Sequence, residues 1–236
     1  MEQLFGKLES EPHQDSEHWM SVSDLMAGLM MLFLFISVAF MRYVLIEKER
    51  IKEVAVTYQS TQVAIYEALM SEFKDDLALW DAEIDRDSLA FNFKSPDVLF
   101  AQGEIALRPE FERILTDFFP RYLAVLDKYR SSIDDVRIEG HTSSVWNRQT
   151  TPEEAYFNNM ELSQGRTRTV LRYVYGITPG GTDLRDWVQK HVAAVGYSSS
   201  RLIYATDGKE DHERSRRVSF RVVTNAETQI RKILDE

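Results

Sequence analysis

Along the chain the spacing of hydrophobic positions changes from a continuous run to a helical period and then to a strand period, and each change marks an element. From Leu25 to Met41 no side chain is charged and Ser37 carries the one hydroxyl. With Trp19 to Ser23 ahead of it, this span reaches about 20 residues, which at ~1.5 Å of rise per residue crosses a ~30 Å hydrocarbon layer as one helix. From Glu47 to about Trp80 the apolar positions Ile51, Val54, Ala55, Tyr58, Ile65, Leu69, Phe73 and Leu77 recur at helical spacing, with no Pro or Gly to interrupt them. Such a stripe either pairs two copies of the chain or lies on its own domain. Its emergence directly from an apolar helix favours pairing.

At Leu89 the period becomes two. Leu89, Phe91 and Phe93 alternate with Ala90 and Asn92, which predicts a half-buried strand and the start of a domain. Ser95 to Pro109 reads as a loop. Pro109 suits a first helical turn, and the helix that follows reaches Tyr129 with Pro120 as a kink. Val136–Gly140 predicts a second strand, Asn147 to Pro152 a polar loop, Met160–Gly176 a second amphipathic helix, Val192–Ser198 a third strand and Arg216–Thr224 a fourth. Strands alternating with helices imply an α+β fold, in which two main helices cover one face of a single sheet.

Composition narrows the function. The net charge of −10 spreads basic side chains among acidic ones, and without a basic face a nucleic-acid partner is excluded. With no cysteine there are no disulfides, thiolate metal sites or cysteine nucleophiles. The five histidines show no HExxH spacing, and neither a GxxxxGK[ST] phosphate loop nor a GxSxG elbow is present, so no metal site, cofactor or enzymatic activity is expected. The tail before His18 holds Lys7 as its one basic residue, which does not suit a cleaved secretory signal; a retained anchor is expected.

One residue breaks the apolar helix. Asp24 lies about one turn inside it, where a charge costs up to roughly 2.5–3.5 kcal/mol at the helix centre and less near an end. Ala27, Gly28 and Met31 share its helical face, so the carboxyl sits where another helix could approach closely. Either Asp24 rests at headgroup depth in contact with water, or it is a functional carboxyl with a partner.

Four segments in order, Phe100–Phe111 (FAQGEIALRPEF), Ile138–Ser144 (IEGHTSS), Asn159–Val174 (NMELSQGRTRTVLRYV) and Arg214–Val222 (RSRRVSFRV), resemble the successive motifs of the OmpA-like peptidoglycan-binding domain. Together with the helix reading SDLMAGLMMLF, the chain is similar to the B subunits of ion-driven stators, the MotB class. Within that class it resembles most nearly the ZorB family of the Zorya antiphage defence system, on its compact length, its acidic tail and a loop, Ser143–Glu154, that departs from the flagellar pattern. The resemblance implies a βαβαββ domain over residues 88–225, after a cytoplasmic tail (1–18), a transmembrane helix (19–44) and a helical linker or dimerisation segment (45–87), with a C-terminal tail at 226–236.

It also implies that the domain holds the diaminopimelate end of a peptidoglycan stem peptide. Arg166 falls on the arginine of the LSxxR pattern, where it grips a carboxylate, Asn159 and Leu162 match the positions ahead of it, and His141 and Thr142 match the loop after the second strand. Ser143 stands where that loop usually has an aspartate, which removes the expected partner for the ligand's ammonium. Asp24 becomes the ion relay for transported H+ or Na+, in a homodimer surrounded by a multispan MotA-like subunit, ZorA in a Zorya system. The family places the N-terminus in the cytoplasm and the domain outside a bacterial inner membrane, whereas Arg42, Lys48, Arg50 and Lys52 after the helix favour the opposite orientation by basic-residue count. A flagellar MotB-type stator subunit and a passive OmpA-like envelope tether without ion function are the alternatives.

Overall fold

The computed structural model of the chain describes residues 14–94 and 96–225. The tails at 1–13 and 226–236, and with them most of the expected cytoplasmic tail, lie outside the described residues, as do the side chains of His18, Trp19, Val54, Ala55 and Tyr58. In chain order the elements are helix α1 (Gln14–Phe73), strands β1 (Ala82–Asp85) and β2 (Ala90–Phe93), the single turn α2 (Pro96–Leu99), α3 (Pro109–Asp127), β3 (Ile133–His141), α4 (Pro152–Ile177), α5 (Asp183–His191), β4 (Val192–Gly196), the turn α6 (His212–Ser215) and β5 (Arg217–Thr224). The chain divides into two compact units, residues 1–53 and 54–236.

In the first unit, Val22–Glu53 is long and apolar enough to cross a membrane. Leu25, Leu29, Leu32, Phe33, Phe35 and Phe40 are all exposed along it.

The second unit is a five-stranded mixed sheet in the order β1-β2-β5-β3-β4, parallel only between β3 and β4. The expected βαβαββ succession is present as β2, α3, β3, α4, β4 and β5, an α+β domain with two main helices. Period-two alternation explains which side of the sheet is apolar. Phe91, Phe93, Val136, Ile138, Val218, Phe220 and Val222 are buried against the helices. The alternate positions Asn92, Arg137, Glu139, Ser219 and Arg221 carry polar groups, and Ser219 Oγ donates to Asn92 Oδ1 at 2.6 Å.

Helix starts follow from capping. Pro109 opens α3 with Glu110 and Glu112 in its first turn, and the helix continues through Pro120 to Asp127. Thr151 and Glu154 form a reciprocal capping box that begins α4 at Pro152, eight residues ahead of the Met160 start expected from periodicity. That helix also runs past Gly176 to Ile177.

The expected linker at 45–87 is corrected at its second half. Ile65, Leu69 and Phe73, spaced by four on α1, are fully buried in the domain core, so these positions of the stripe pack on their own domain and not on a second copy. Phe73 meets Phe91 edge-on at 5.3 Å and Phe118 at 5.3 Å between ring centroids. Arg121 on α3 fastens the same end, reaching Glu72 Oε1 at 2.7 Å and Asp76 Oδ2 at 2.8 Å across the Phe73 ring. Ile51 and Val56, nearer the apolar helix, are exposed. The domain therefore begins within α1 and includes β1, which pairs with β2 over Ala82–Asp85, ahead of the expected boundary at 88.

Candidate wall-binding cavity

β3 delivers the loop residues. Its alternation places Gly140 against α4, where an added Cβ would come within 2.8 Å of the Ser163 carbonyl oxygen, and sends His141 to the opposite side of the sheet. Beyond the strand end, Thr142 N–H donates to Ser198 O at 2.9 Å, turning the chain into the Ser143–Trp146 loop. Asn159 on α4, 3% exposed, closes that turn by donating Nδ2–H to Ser143 O at 3.2 Å.

Five of the six expected positions come together. Thr142, Ser143, Asn159, Leu162 and Arg166 share the wall of one cavity of about 300 Å³, completed by the 102–103 turn, Val145, Trp146 and Arg216. The Thr142 hydroxyl is buried there with no hydrogen-bond partner among the described residues. Arg166 donates Nε–H to Glu104 O at 2.9 Å and Nη2–H to Ala101 O at 3.2 Å, with its guanidinium 4.7 Å above the Phe100 ring. It therefore does two things at once, anchoring the 100–107 loop to α4 and giving the cavity positive charge. Arg216 adds a second cation, and among the described residues no carboxylate lines the wall. An anionic group is thus favoured inside, and an ammonium has no direct partner among the described residues.

His141 stands apart from these five. Buried on the other side of the sheet, it stacks on Tyr197 at 5.3 Å with the rings 10° from parallel, and its Nε2 lies 3.3 Å from Glu139 Oε2. Burial holds the imidazole below its ordinary pKa, with Arg217 and Arg201 adding to the effect and Glu139 opposing it, so His141 is neutral and donates through Nε2. Burial would raise the Glu139 carboxyl, but the His141 bond and the charges of Arg221 and Arg201 outweigh it and leave Glu139 below the usual carboxylate range. This cluster fixes the strand end that carries Thr142 and Ser143.

Glu210, from the segment before α6, was not singled out by the sequence. Its carboxylate accepts the Ser144 N–H at 2.9 Å and the Ser144 hydroxyl, and it pairs with His212 Nδ1 at 2.9 Å. Burial works against its charge, while the two Ser144 donors and His212 more than compensate and hold it below the usual carboxylate range. The loop that lacks an internal aspartate is thus tied down by a carboxylate from elsewhere in the chain.

The second candidate position is on α1. Asp24, Ala27, Gly28 and Met31 are exposed, and a Cβ at Gly28 would meet nothing within 4 Å, so this face is open to another helix.

The whole sequence is 60% identical to the Zorya protein ZorB of Escherichia coli (Crooks strain), over 100% of both chains. The chain belongs to the ZorB family. No protein-family model matches this ZorB-family sequence. Among solved structures it is similar to a putative MotB-like protein from Desulfovibrio vulgaris, at 22% identity and a TM-score of 0.47 over 73% of this chain and 94% of that one. It is also similar to the cell wall anchor of the T6SS from Pseudomonas aeruginosa, at 23% identity and 0.44 over 66% and 96%. A third likeness is to the periplasmic domain of Helicobacter pylori MotB, at 16% identity and 0.43 over 65% and 88%.

Proposed function

We propose that the chain is the wall-anchored stator subunit of a Zorya-type, ion-driven motor in the bacterial inner membrane, and that it serves phage defence without being an enzyme. Asp24 carries the reading. It is a single carboxyl at the start of an otherwise uncharged span, on a face made open by Ala27 and Gly28. A tether has no use for that carboxyl, since insertion of the charge is costly. In a stator, Asp24 binds a proton or sodium ion, loses its charge while facing lipid, and releases the ion on meeting a multispan MotA-like subunit, ZorA. Each elementary charge crossing the membrane releases about 2.3 kcal/mol per 100 mV, and successive crossings turn the ring of partner subunits against a fixed domain.

The domain stays fixed by holding peptidoglycan. Arg166 and Arg216 meet the carboxylate of a stem peptide, and Asn159, Leu162, Thr142 and Ser143 shape the cavity around it. Two copies associate through the α1 segment nearest the membrane, where Ile51 and Val56 are exposed. The N-terminus lies in the cytoplasm and the domain in the periplasm, because only there is the wall accessible. Glu47, Glu49 and Glu53 partly offset the basic residues that argue otherwise.

The test is a reporter active only in the periplasm, fused after Glu236, together with cosedimentation of the detergent-solubilised full chain with purified sacculi. Reporter activity and pelleting are expected. A signal from a cytoplasm-only reporter would refute both the orientation and the wall attachment.

A further inference from the structure

The side of the sheet opposite the helices carries an unbalanced group of charges. Across β3 and β5, His141 pairs with Arg217, Glu139 with Ser219 and Arg137 with Arg221, and strand alternation puts all six side chains on this side. Glu139, its side chain 4% exposed, sits among three arginines. Arg201 Nη1 lies 3.7 Å from its Oε2 and Arg221 Nη1 3.8 Å from its Oε1, ion-pair distances too long for hydrogen bonds. Glu139 Oε1 and Arg221 Nε are buried with no hydrogen-bond partner among the described residues. Arg217 donates Nη1–H to Ser215 O at 3.2 Å and to Arg201 O at 3.4 Å, and among the described residues no carboxylate forms an ion pair with it. Burial holds its guanidinium below the ordinary pKa, with Arg201 and Arg214 adding to the effect against Glu139 and Glu83. The neighbouring acids are engaged elsewhere. Asp135 holds Arg137 at 2.9 Å, Glu83 pairs with Lys94 at 3.5 Å, and Asp85 Oδ1 accepts the Ser88 N–H and hydroxyl at 2.7 and 2.6 Å.

Three guanidinium charges around one carboxylate leave a local excess of two positive charges, in a chain whose net charge is −10. A doubly charged oxyanion balances that excess, and its oxygens suit the guanidinium forks. Glu139 Oε1 sets a further condition. As a charged acceptor it repels a fully deprotonated anion and favours one that brings its own O–H. Hydrogen phosphate meets both conditions, because it carries two charges and keeps one P–OH at neutral pH. Sulfate has the charge without the proton, and a phosphate monoester, with a second pKa of about 6, has mostly lost its proton at that pH. We infer that the sheet surface around Glu139 is a binding site for free inorganic phosphate, in which Arg201, Arg217 and Arg221 hold the phosphoryl oxygens and Glu139 Oε1 accepts the P–OH. Arg201 and Arg221, with side chains 42% and 32% exposed, cover the carboxylate and part to admit the ion. None of these four residues lines the Arg166 cavity, so the inference is independent of the wall reading.

The test is calorimetry on the detergent-solubilised full chain at neutral pH in phosphate-free buffer, with inorganic phosphate, sulfate and glycerol 3-phosphate as separate probes. Phosphate should bind at least about tenfold more tightly than either of the others, the scale of one charge-assisted hydrogen bond. Glu139→Gln should narrow or invert the preference over sulfate, because the carboxamide donates where the carboxylate only accepts. Should that buried variant melt early, Arg201→Gln combined with Arg221→Gln, both on partly exposed arms, carries the test and should weaken phosphate at least about tenfold. Absence of phosphate binding would overturn the site. So would equal affinity for phosphate and sulfate, equal affinity for phosphate and the monoester, or phosphate binding unchanged in the double arginine variant.

Discussion

The backbone N–H and the hydroxyl of Ser144 both end on the carboxylate of Glu210, 66 residues further along the chain. This contact lets a loop without its own acid hold a fixed shape, and Glu210 does so without joining the wall of the cavity, which Arg166 and Arg216 line. Glu210→Gln keeps the size and removes the charge. Hydrogen bonds to charged groups are worth about 1.5–3 kcal/mol, so sacculus pelleting should fall several-fold while the melting temperature drops by only a few degrees. Unchanged pelleting would show that the loop's position does not matter for wall binding.

Arg166→Ala is expected to do more than remove a ligand contact. Because Arg166 bridges Ala101 O and Glu104 O across the Phe100 ring, the substitution should lower stability by about 1–3 kcal/mol as well as weaken pelleting at least about tenfold. Arg166→Lys separates the effects, since a lysine keeps the charge but cannot reproduce the planar fork. It should retain more wall binding than Arg166→Ala while melting below the wild type. In the same assay Ser143→Asp should strengthen pelleting, by supplying the ammonium partner that the cavity wall lacks. Equal pelleting by the Ala, Lys and wild-type chains would exclude Arg166 from the site.

Phe73 tests where the domain begins. As a fully buried ring against Phe91 and Phe118, its replacement in Phe73→Ala should cost about 3–5 kcal/mol and lower the domain's melting transition by ten degrees or so. Phe73 on a linker free of the domain would leave that transition where it is.

Acid should weaken the domain in two steps. His141 is held below its ordinary value of 6.5, so below about pH 6.5 the unfolded chain takes up a proton that the folded chain refuses, and stability falls as pH falls. Glu139, also lowered, contributes stability that is present above its ordinary value of 4.5 and is lost as pH drops below it. The facing cations Arg201, Arg217 and Arg221 stay charged throughout, so they do not reverse the sign. Thermal melts from pH 8 to pH 4 should decline first near pH 6.5, and His141→Gln should remove that first step only. A melting temperature flat between pH 8 and pH 5 would contradict the assignment of His141 as neutral and buried.

Local pattern made most of the fold legible. The strand alternation at Phe91/Phe93 and Val218/Phe220, the Pro109 helix start and the α4 periodicity all survive because each is written within a few consecutive residues. What escaped was short or distant. β1 is four residues, Ala-Glu-Ile-Asp, with two acids that mask its alternation. α5 has nine residues with just Trp187 and Val188 buried, too little apolar surface to show a period against its charges. The burial of Ile65, Leu69 and Phe73 could not be told from a pairing stripe, because the same spacing serves both. At the site, Thr142, Ser143, Asn159, Leu162 and Arg166 were placed by motif, and the structure gathers them. His141 diverges because one step along β3 turns a side chain to the other side of the sheet. Glu210 left no local signal, since its partner is brought to it by tertiary folding alone.

If the Asp24 carboxyl drives the protein's work by binding and releasing an ion, Asp24→Asn tests it most directly, because the substitution keeps the size and removes the charge. The measurement is protection of cells against phage, with the variant matched to wild type in membrane abundance and in sacculus pelleting. Protection should be lost with Asp24→Asn. Full protection by the Asn variant would contradict the ion relay and leave a wall-bound tether in its place.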